Sequence, residues 1–302
     1  MKYVLIGADG FVGRNLIERN NIPYKCYDNS FLHKKLSQDT IFLDITKDHN
    51  VLESYLEEAK SEFVLINLAA IHHIPYCNNN PHEAVLTNVY GNMKLFETAA
   101  QYGCKKFIFA SSGAVYKPEI IPHRETDMVQ SSDVYSSTKI LAENYLESAS
   151  QLYDIPVSIL RFFNIVGKYD YTPHLVPDIA DQIIDQNSIN ITLGNLDTFR
   201  DYISVENICD VVEQVALNTK SERFEVINIG SGKKSSGHEV LQLIQEITKT
   251  NKKKFIDKKR FRLSDRPVQV ANTGKLLQKF EKIQFVDLEN SLRSYLVWRG
   301  II

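Results

Sequence analysis

The chain has 302 residues, with 35 Lys plus Arg against 37 Asp plus Glu, four Cys and 43% hydrophobic residues. Its length allows one large domain or two modest ones, and a formal charge of -2 gives no global field for nucleic acid or an anionic membrane, so any anionic ligand must be met by local charges. No apolar run approaches the roughly 18 residues that span a bilayer, and Cys26, Cys77, Cys104 and Cys209, with no Cys-x-x-Cys pair and no neighbouring His at zinc spacing, read as reduced thiols of a soluble cytoplasmic protein without a metal site.

In chain order, short β-branched and aromatic runs alternate with amphipathic stretches, the pattern of βαβ units around a parallel sheet. Strands are predicted at 3–6, 24–27, 41–43, 63–68, 106–110 and 157–161, and helices at about 11–19, 49–59, 81–102 and 134–153. The first strand is too short for a secretory signal and runs into a glycine turn, so it reads as structure and not as an address. Right-handed crossovers between such strands build an open, doubly wound α/β sheet whose ligand crevice lies at the strands' carboxyl ends. After Phe163 the rhythm loosens into helices near 175–186 and 205–218, a strand at 225–229, and helices near 238–250, 273–280 and 288–298. A smaller, mostly helical C-terminal lobe follows from that pattern.

Gly7-Ala8-Asp9-Gly10-Phe11-Val12-Gly13 follows the first strand and opens the first helix. Glycines so placed permit a tight turn, let the backbone approach a pyrophosphate at a positive helix N-terminus, and bring helix close to strand. A plain strand-to-helix turn can use the same residues. Asp28 ends the second strand, where a carboxylate can accept hydrogen bonds from a ribose diol; alone it reads as a turn residue, and with the glycines it points to a dinucleotide. Its charge repels a 2'-phosphate and so favours NAD over NADP, while His33, Lys34 and Lys35 follow closely and could reach such a phosphate.

Tyr135-Ser136-Ser137-Thr138-Lys139 places a phenol and an ammonium at i and i+4, on one helix face. A phenol of pKa about 10 is a poor base at neutral pH, but a nearby cation stabilises the phenolate. The pair can then take a proton from an alcohol while hydride leaves the same carbon. Ser111-Ser112-Gly113-Ala114-Val115-Tyr116 begins where the fifth strand ends, at the ligand-binding edge, and its small residues and hydroxyl suit close approach of a sugar and cofactor.

These motifs resemble the extended short-chain dehydrogenase/reductase family of nucleotide-sugar epimerases and dehydratases, and most closely its UDP-glucose 4-epimerase branch. The resemblance runs on through Asp44-Ile45, Asn67-Leu68-Ala69-Ala70, Asn88 to Gly91, Arg161-Phe162-Phe163-Asn164, Arg200-Asp201-Tyr202, Asn228 to Gly232 and Asp265-Arg266-Pro267. It implies a Rossmann domain over 1–163 plus about 203–228, and a substrate domain over about 164–202 plus 229–302. Ser112 then resembles the hydroxyl that bonds the reacting sugar oxygen, Tyr135 the catalytic base and Lys139 the group on the nicotinamide ribose. NAD would be held by Gly7, Gly10, Phe11, Val12, Gly13, Asp28, Asn29, Asp44, Ile45, Leu68, Ala69, Ala70, Asn88, Tyr135, Lys139 and Phe162. Ser112, Asn164, Arg200 and Arg262 would hold a nucleotide-diphosphate sugar, UDP-linked by preference; guanidinium forks suit paired phosphate oxygens. Arg262 reads equally as one more solvated charge of the basic stretch 252–262. A homodimer through the helices starting near Asn88 and Tyr135 is implied too.

Dehydrating members carry Asp-Glu directly after the hydroxyl residue; here those positions are Gly113 and Ala114. Decarboxylating members need an acid in this segment and C3/C5 epimerases a Cys, and neither is present. Oxidation and reduction at one carbon is the chemistry left, as a 4-epimerase or as a 4-ketoreductase or dehydrogenase. A silent nucleotide-binding scaffold is opposed by Ser112, Tyr135 and Lys139, and a nucleic-acid binder by the ordinary solvation of charge runs. Further departures are Lys117, Lys168, Ser132-Asp133-Val134, His174 and the run His72-His73-Ile74-Pro75-Tyr76-Cys77 on the loop after the fourth strand; both histidine sites read as loop residues or as substrate contacts.

Overall fold

The computed structural model describes residues 1–29, 37–59, 62–218, 222–261, 265–280 and 283–302. Its strands are β1 (Lys2–Ile6), β2 (Tyr24–Asp28), β3 (Thr40–Phe42), β4 (Phe63–Asn67), β5 (Lys106–Ser112), β6 (Val157–Phe162), β7 (Asn164–Val166), β8 (Asn190–Leu193), β9 (Phe199–Ser204), β10 (Phe224–Ile229), β11 (Lys234–Ser236), β12 (Lys253–Ile256) and β13 (Val268–Gln269). The α-helices are α1 (Phe11–Arg19), α2 (Asn50–Ala59), α3 (Ile74–Asn79), α4 (Pro81–Val85), α5 (Asn92–Gln101), α6 (Val134–Leu152), α7 (Leu175–Ile184), α8 (Val205–Leu217), α9 (Gly237–Thr248), α10 (Gly274–Lys279) and α11 (Leu288–Trp298). None of the described helices is long and apolar enough to cross a membrane.

Two compact units result: Met1–Lys117 with Met128–Phe162 and Cys209–Ile227, and Pro118–Asp127 with Phe163–Ile208 and Asn228–Ile302. The first carries a seven-stranded sheet of order β10-β6-β5-β4-β1-β2-β3. β1 pairs in parallel with both β2 and β4, so the strand order reverses around it, as in doubly wound dinucleotide-binding sheets. All five residues of β4 are buried, as expected of a parallel strand covered on both faces. Val4, Leu65, Phe96, Phe107 and Leu146 form one core, with Phe96 and Phe107 meeting edge to face at 5.2 Å.

The helix expected over 81–102 is present as one unbroken helical run from Pro81 to Gln101, with a π-helical stretch inside it. This stretch, Leu86–Gly91, joins α4 to α5, and it turns the Asn88 amide inward onto Ile71 and Thr138. Such π-helical insertions recur at functional sites. A Cβ on Gly91 would lie 2.7 Å from Ile45 Cγ1, so glycine lets this turn press on Ile45 without displacing its side chain. The Ser132-Asp133-Val134 departure has a local reason as well: Asp133 caps α6, accepting the Ser136 N–H at 2.8 Å, while Ser136 closes a reciprocal capping box.

The second unit is the smaller C-terminal lobe with the helices the sequence pattern suggests, α7, α9, α10 and α11, and it carries short strands beside them. β7, β11 and β13 all pair with β9, and β8 pairs in parallel with β12. These strands have two to six residues, too few to show a period. Its core gathers Ile179, Ile191, Val240, Ile244 and Leu292. Pro118–Asp127 and Phe163–Ile208 delimit it differently from the boundaries read off the sequence. The first segment joins this unit because His123 N donates to Val270 O (2.8 Å), Asn272 N to His123 O (2.7 Å), and Asn228 N to Glu125 Oε1 (2.9 Å). Residues 203–208, the end of β9 and the start of α8, also belong here.

Candidate active site

The glycine turn is built by close approach. Gly7 has φ +81°, and a Cβ there would sit 2.7 Å from Ala69 N; on Gly13 it would sit 2.4 Å from Gly7 O and 2.5 Å from Ala8 O. Leu68 N donates to Ile6 O (2.9 Å) and Ala69 N to the Asn67 side chain (3.0 Å), so the Leu68-Ala69-Ala70 segment is fastened beside the turn. Helix α1 opens at Phe11 with Gly10 as N-cap and no side-chain cap bond, leaving uncapped first-turn N–H groups at the positive end of a helix dipole. A bare backbone cradle of this kind fits the pyrophosphate of NAD.

Asp28 Oδ2 accepts the Asp9 N–H at 3.0 Å, so the turn itself orients the carboxylate expected at the ribose; Asn29 follows it. Asp9 is a residue that sequence reasoning passed over. A carboxylate inside an anion-binding turn would repel the ligand, but here it is 2% exposed, accepts Ser37 N (2.9 Å) and the Ser37 hydroxyl, and lies 3.6 Å from Arg14 Nη2. Its presence between two glycines was the signal that it needed partners. Asp44 accepts the Thr46 N–H (3.0 Å) and hydroxyl (2.7 Å); partial burial pushes its carboxyl up, but these bonds and Lys47 outweigh that and hold it below its ordinary value. Ile45 is buried, its carbonyl 3.0 Å from His49 Nε2. The run His33, Lys34, Lys35 lies outside the described residues.

Strand β5 and helix α6 bring Ser112, Tyr135 and Lys139 together. The Ser112 hydroxyl hydrogen-bonds to Tyr135 and accepts the Ala114 N–H at 3.1 Å. Lys139 is 2% exposed; its Nζ donates to Ala110 O at 2.7 Å and lies 4.5 Å from the Phe109 ring centroid and 5.9 Å from that of Tyr135. The lowered phenol expected from the Tyr-Lys pairing is not found in the chain by itself. Burial pushes Tyr135 well above the ordinary phenol range against the opposing Ser112 bond. Burial likewise depresses Lys139 to about 7, opposed by Glu143 and then Cys77. The reason is common to both: desolvation disfavours each charged form more than the surrounding groups favour it.

Two further groups border Lys139. Burial, then the Lys139 charge, pushes the His72 imidazole down to about 4, opposed by a bond with the Ala70 backbone, so it is neutral at pH 7. Cys77, on α3 and not on the expected loop, donates to Ile71 O at 3.4 Å; burial and Asp133 push its thiol up to about 11. All four cysteines are buried, and among the described residues no group of three or more His, Cys, Asp or Glu could hold a metal ion.

Beneath the pair lies a buried network that sequence reasoning also missed. Arg161 grips Glu143 through Nε to Oε1 (3.1 Å) and Nη2 to Oε2 (2.6 Å), the Ser111 hydroxyl bonds the same carboxylate, and Arg161 stacks over the Tyr116 ring at 4.8 Å. The signal was available in the regular spacing of Tyr135, Lys139 and Glu143, each four residues on. Asn88 Oδ1 accepts the Ile71 N–H (2.8 Å), while its Nδ2 donates to Ile71 O (2.8 Å) and Thr138 Oγ1 (3.0 Å). It therefore ties the segment after β4 to α6. Phe162 ends β6 in register with Ser112.

In the second unit, Asn164 opens β7 in register with Tyr202 of β9. Arg200, also on β9, donates through Nη1 to Phe199 O (2.9 Å) and Arg266 O (2.7 Å). Asp201 is buried and accepts from Ser231 N (2.7 Å), Gly232 N (2.9 Å) and Ala271 N (3.1 Å), which sets the strand carrying Arg200. Arg262 lies outside the described residues. His174 is the N-cap residue of α7, without a side-chain cap bond.

A family model described as the NAD dependent epimerase/dehydratase family matches residues 3–230. The GDP-6-deoxy-D-talose 4-dehydrogenase of Aggregatibacter actinomycetemcomitans is 28% identical over 92% of this chain and 90% of its own length. The UDP-glucose 4-epimerase of Lacticaseibacillus casei is 26% identical over 82% of each. Among solved structures, the UDP-glucose 4-epimerase of Thermotoga maritima superposes with a TM-score of 0.86 at 22% identity, covering 99% of this chain and 98% of that one, a likeness of fold.

Proposed function

Because the chain belongs to the NAD dependent epimerase/dehydratase family, we propose that it is a nucleotide-sugar 4-epimerase working through a transient 4-keto sugar, with a UDP-sugar as favoured substrate. The observation that carries this reading is the Ser112, Tyr135 and Lys139 cluster followed by Gly113 and Ala114 in a buried 3₁₀ turn. That turn has no acid or base for elimination, so proton and hydride exchange at one carbon is the chemistry the side chains support.

NAD, when bound, supplies the acceptor for the C4 hydride and its donor on return. Held as the phenolate by Lys139 and by the positive charge that an oxidised nicotinamide would add, Tyr135 receives the C4 hydroxyl proton on its phenol oxygen, with the Ser112 hydroxyl holding the sugar oxygen in line. After the keto sugar turns, Tyr135 returns the proton to O4 on the opposite face, so the chain ends as it began. Lys139, anchored on Ala110 O, supplies positive charge beside the phenolate. The Gly7–Gly13 cradle, Asp28, Asn29, the Asp44-Ile45 segment, Leu68-Ala69-Ala70 and Phe162 are assigned to NAD, with Asn88 holding that edge in place. Asn164, Arg200 and Arg262 are assigned to the diphosphate of the sugar nucleotide. In domain terms, the sheet unit is the cofactor domain and the second unit the substrate domain. Exposed Val85, Leu86, Tyr90, Leu141 and Leu152 support a homodimer through the helices that carry Asn88 and Tyr135.

The similarity to a 4-dehydrogenase favours one second reading, net oxidation or reduction at C4 with the same residues. Proton NMR of the purified protein with UDP-, GDP-, CDP- and dTDP-sugars decides between them, together with identification of bound cofactor after denaturation. Inversion at C4 without net change in reduced-nicotinamide absorbance is expected. Stoichiometric reduction or oxidation of the nicotinamide would replace the epimerase reading with the second one, and no conversion of any sugar would remove both.

A further inference from the structure

Three consecutive residues at the end of β5 meet three residues spaced by one helical turn on α6. Ala110 O takes Lys139, the Ser111 hydroxyl takes Glu143, and the Ser112 hydroxyl takes Tyr135. Residues at i, i+4 and i+8 of a helix share one stripe, so the strand end and the stripe close on each other like a short zipper. Glu143 is the member furthest from the reacting hydroxyl and the one held most firmly, since Arg161 of β6 grips both of its carboxylate oxygens. Arg161 stands in register with Ser111 across the β5–β6 pair, so one carboxylate joins two strands to the helix. Both partners are buried.

We infer that Glu143 is a positioning residue of the site: by docking α6 onto the ends of β5 and β6 it sets Tyr135 at Ser112 and Lys139 at Ala110. The structure asks for such an anchor because Tyr135 is the second residue of α6, next to its capped start. Helix ends fray unless tied down, and a displacement of about 1 Å at a proton-transferring group can cost 10²-fold in rate. A capping bond at Asp133 holds the helix start, but it does not fix the rotation of the stripe against the sheet; two bonds one turn apart, at Lys139 and Glu143, do. The carboxylate also bears on the charge of Lys139. That ammonium faces Tyr135 and Glu143 on its own helix, Cys77 on α3, His72 after β4 and the Ala110 carbonyl on β5. Glu143 is the group of this set that most favours the cation, tempered by Arg161 on its far side.

The test compares wild type, Glu143→Gln and the double variant Glu143→Gln with Arg161→Gln. The double variant removes both buried charges together, so that neither is left unpaired. Three quantities are measured on the full chain as purified: kcat and KM for the nucleotide sugar, the pH profile of kcat, and the titration of the Lys139 amine by 15N NMR, its signal assigned with Lys139→Arg. The expected result in both variants is a kcat lower by about 10²-fold with KM little changed, an alkaline limb of the profile displaced to lower pH, and a Lys139 midpoint below that of wild type. Wild-type kcat and an unmoved Lys139 titration in the folded double variant would overturn the inference, however far the melting temperature falls, because a purely structural pair lowers only stability. The inference rests on Tyr135 and Lys139 being the reacting pair, and the two fail separately. Normal turnover in Tyr135→Phe removes the assignment of the pair, whereas wild-type kcat with an unmoved Lys139 titration in the double variant removes the role of Glu143 alone.

Discussion

Replacing Gly13 by Ala tests whether the turn at Gly7–Gly13 is a cradle shaped by backbone contact. The added Cβ would lie 2.4 Å from Gly7 O and 2.5 Å from Ala8 O. Both obstacles are main-chain atoms of the turn, so neither can rotate aside. Restoring ordinary contact requires α1 to retreat by about 1 Å from the end of β1, an overpacking that costs roughly 1–3 kcal/mol and lowers the melting temperature by roughly 2–5 °C in a chain of this size. The retreat also withdraws the first-turn N–H groups from an anionic ligand. Losing one charge-assisted bond, worth about 1.5–3 kcal/mol, weakens NAD by roughly 10- to 100-fold. Gly91→Ala is the internal comparison, because its Cβ would meet the Ile45 side chain at 2.7 and 3.0 Å. An isoleucine can shift rotamer where a carbonyl cannot, so this variant loses less of both stability and NAD affinity. Thermal melts with and without NAD, and calorimetric titration of NAD, read the two effects. A Gly13→Ala protein that melts and binds NAD like wild type would refute the reasoning, as would a Gly91→Ala protein damaged more than Gly13→Ala.

Tyr135→Phe removes the phenol oxygen and keeps the ring, so turnover should fall by roughly 10²- to 10⁴-fold, the range of general acid–base catalysis, while NAD still co-purifies; near-normal turnover would contradict the proposed base. Lys139→Met should stabilise the protein in a pH-dependent way. The folded-state value of about 7 lies below the ordinary 10.5, so the buried ammonium is most costly below pH 7. The melting-temperature advantage of the variant should be largest there and shrink as pH rises toward 10.5. Asp170→Asn should show the opposite slope. Burial, opposed by bonds to Thr172 and by Arg299, raises Asp170 from 3.8 to about 7, so its ionised form burdens the folded state only as pH climbs through that window, and the advantage of Asn should be absent near pH 4 and full above pH 7. Parallel melting curves across pH for either variant and wild type would contradict these burials.

Much of the sheet unit was legible because its signals are local. Helix α1 and helix α11 fall on the residues predicted for them, and the strands differ by one or two residues at their ends, where a carbonyl or two extends the ladder. Gly7, Gly13, Asp28, Ser112, Tyr135 and Lys139 stood out because glycine spacing and the i, i+4 rule act within a few residues. The short strands β7, β8, β11, β12 and β13 were not legible, since two to four residues cannot display alternation and their pairing partners come from distant segments. The π-helical stretch inside the helix over 81–102 was hidden for a similar reason: Asn88 there reaches Ile71 and Thr138, contacts that no window along the chain contains.

Sequence alone determined which chemical groups are available and in what order: a bare glycine turn, a phenol and an amine one helical turn apart, and a hydroxyl at a strand end with no acid beside it. The tertiary structure decided their charge states and their mutual positions. Tyr135 and Lys139 are both buried, so desolvation raises one and depresses the other, against what pairing by itself suggests. Asp9 is turned onto Ser37 and away from its own anion cradle, and Arg161, Glu143 and Ser111, from three separate stretches of chain, become one buried network under the reacting pair. Burial and long-range pairing depend on what the fold brings close, and local sequence carries no measure of either.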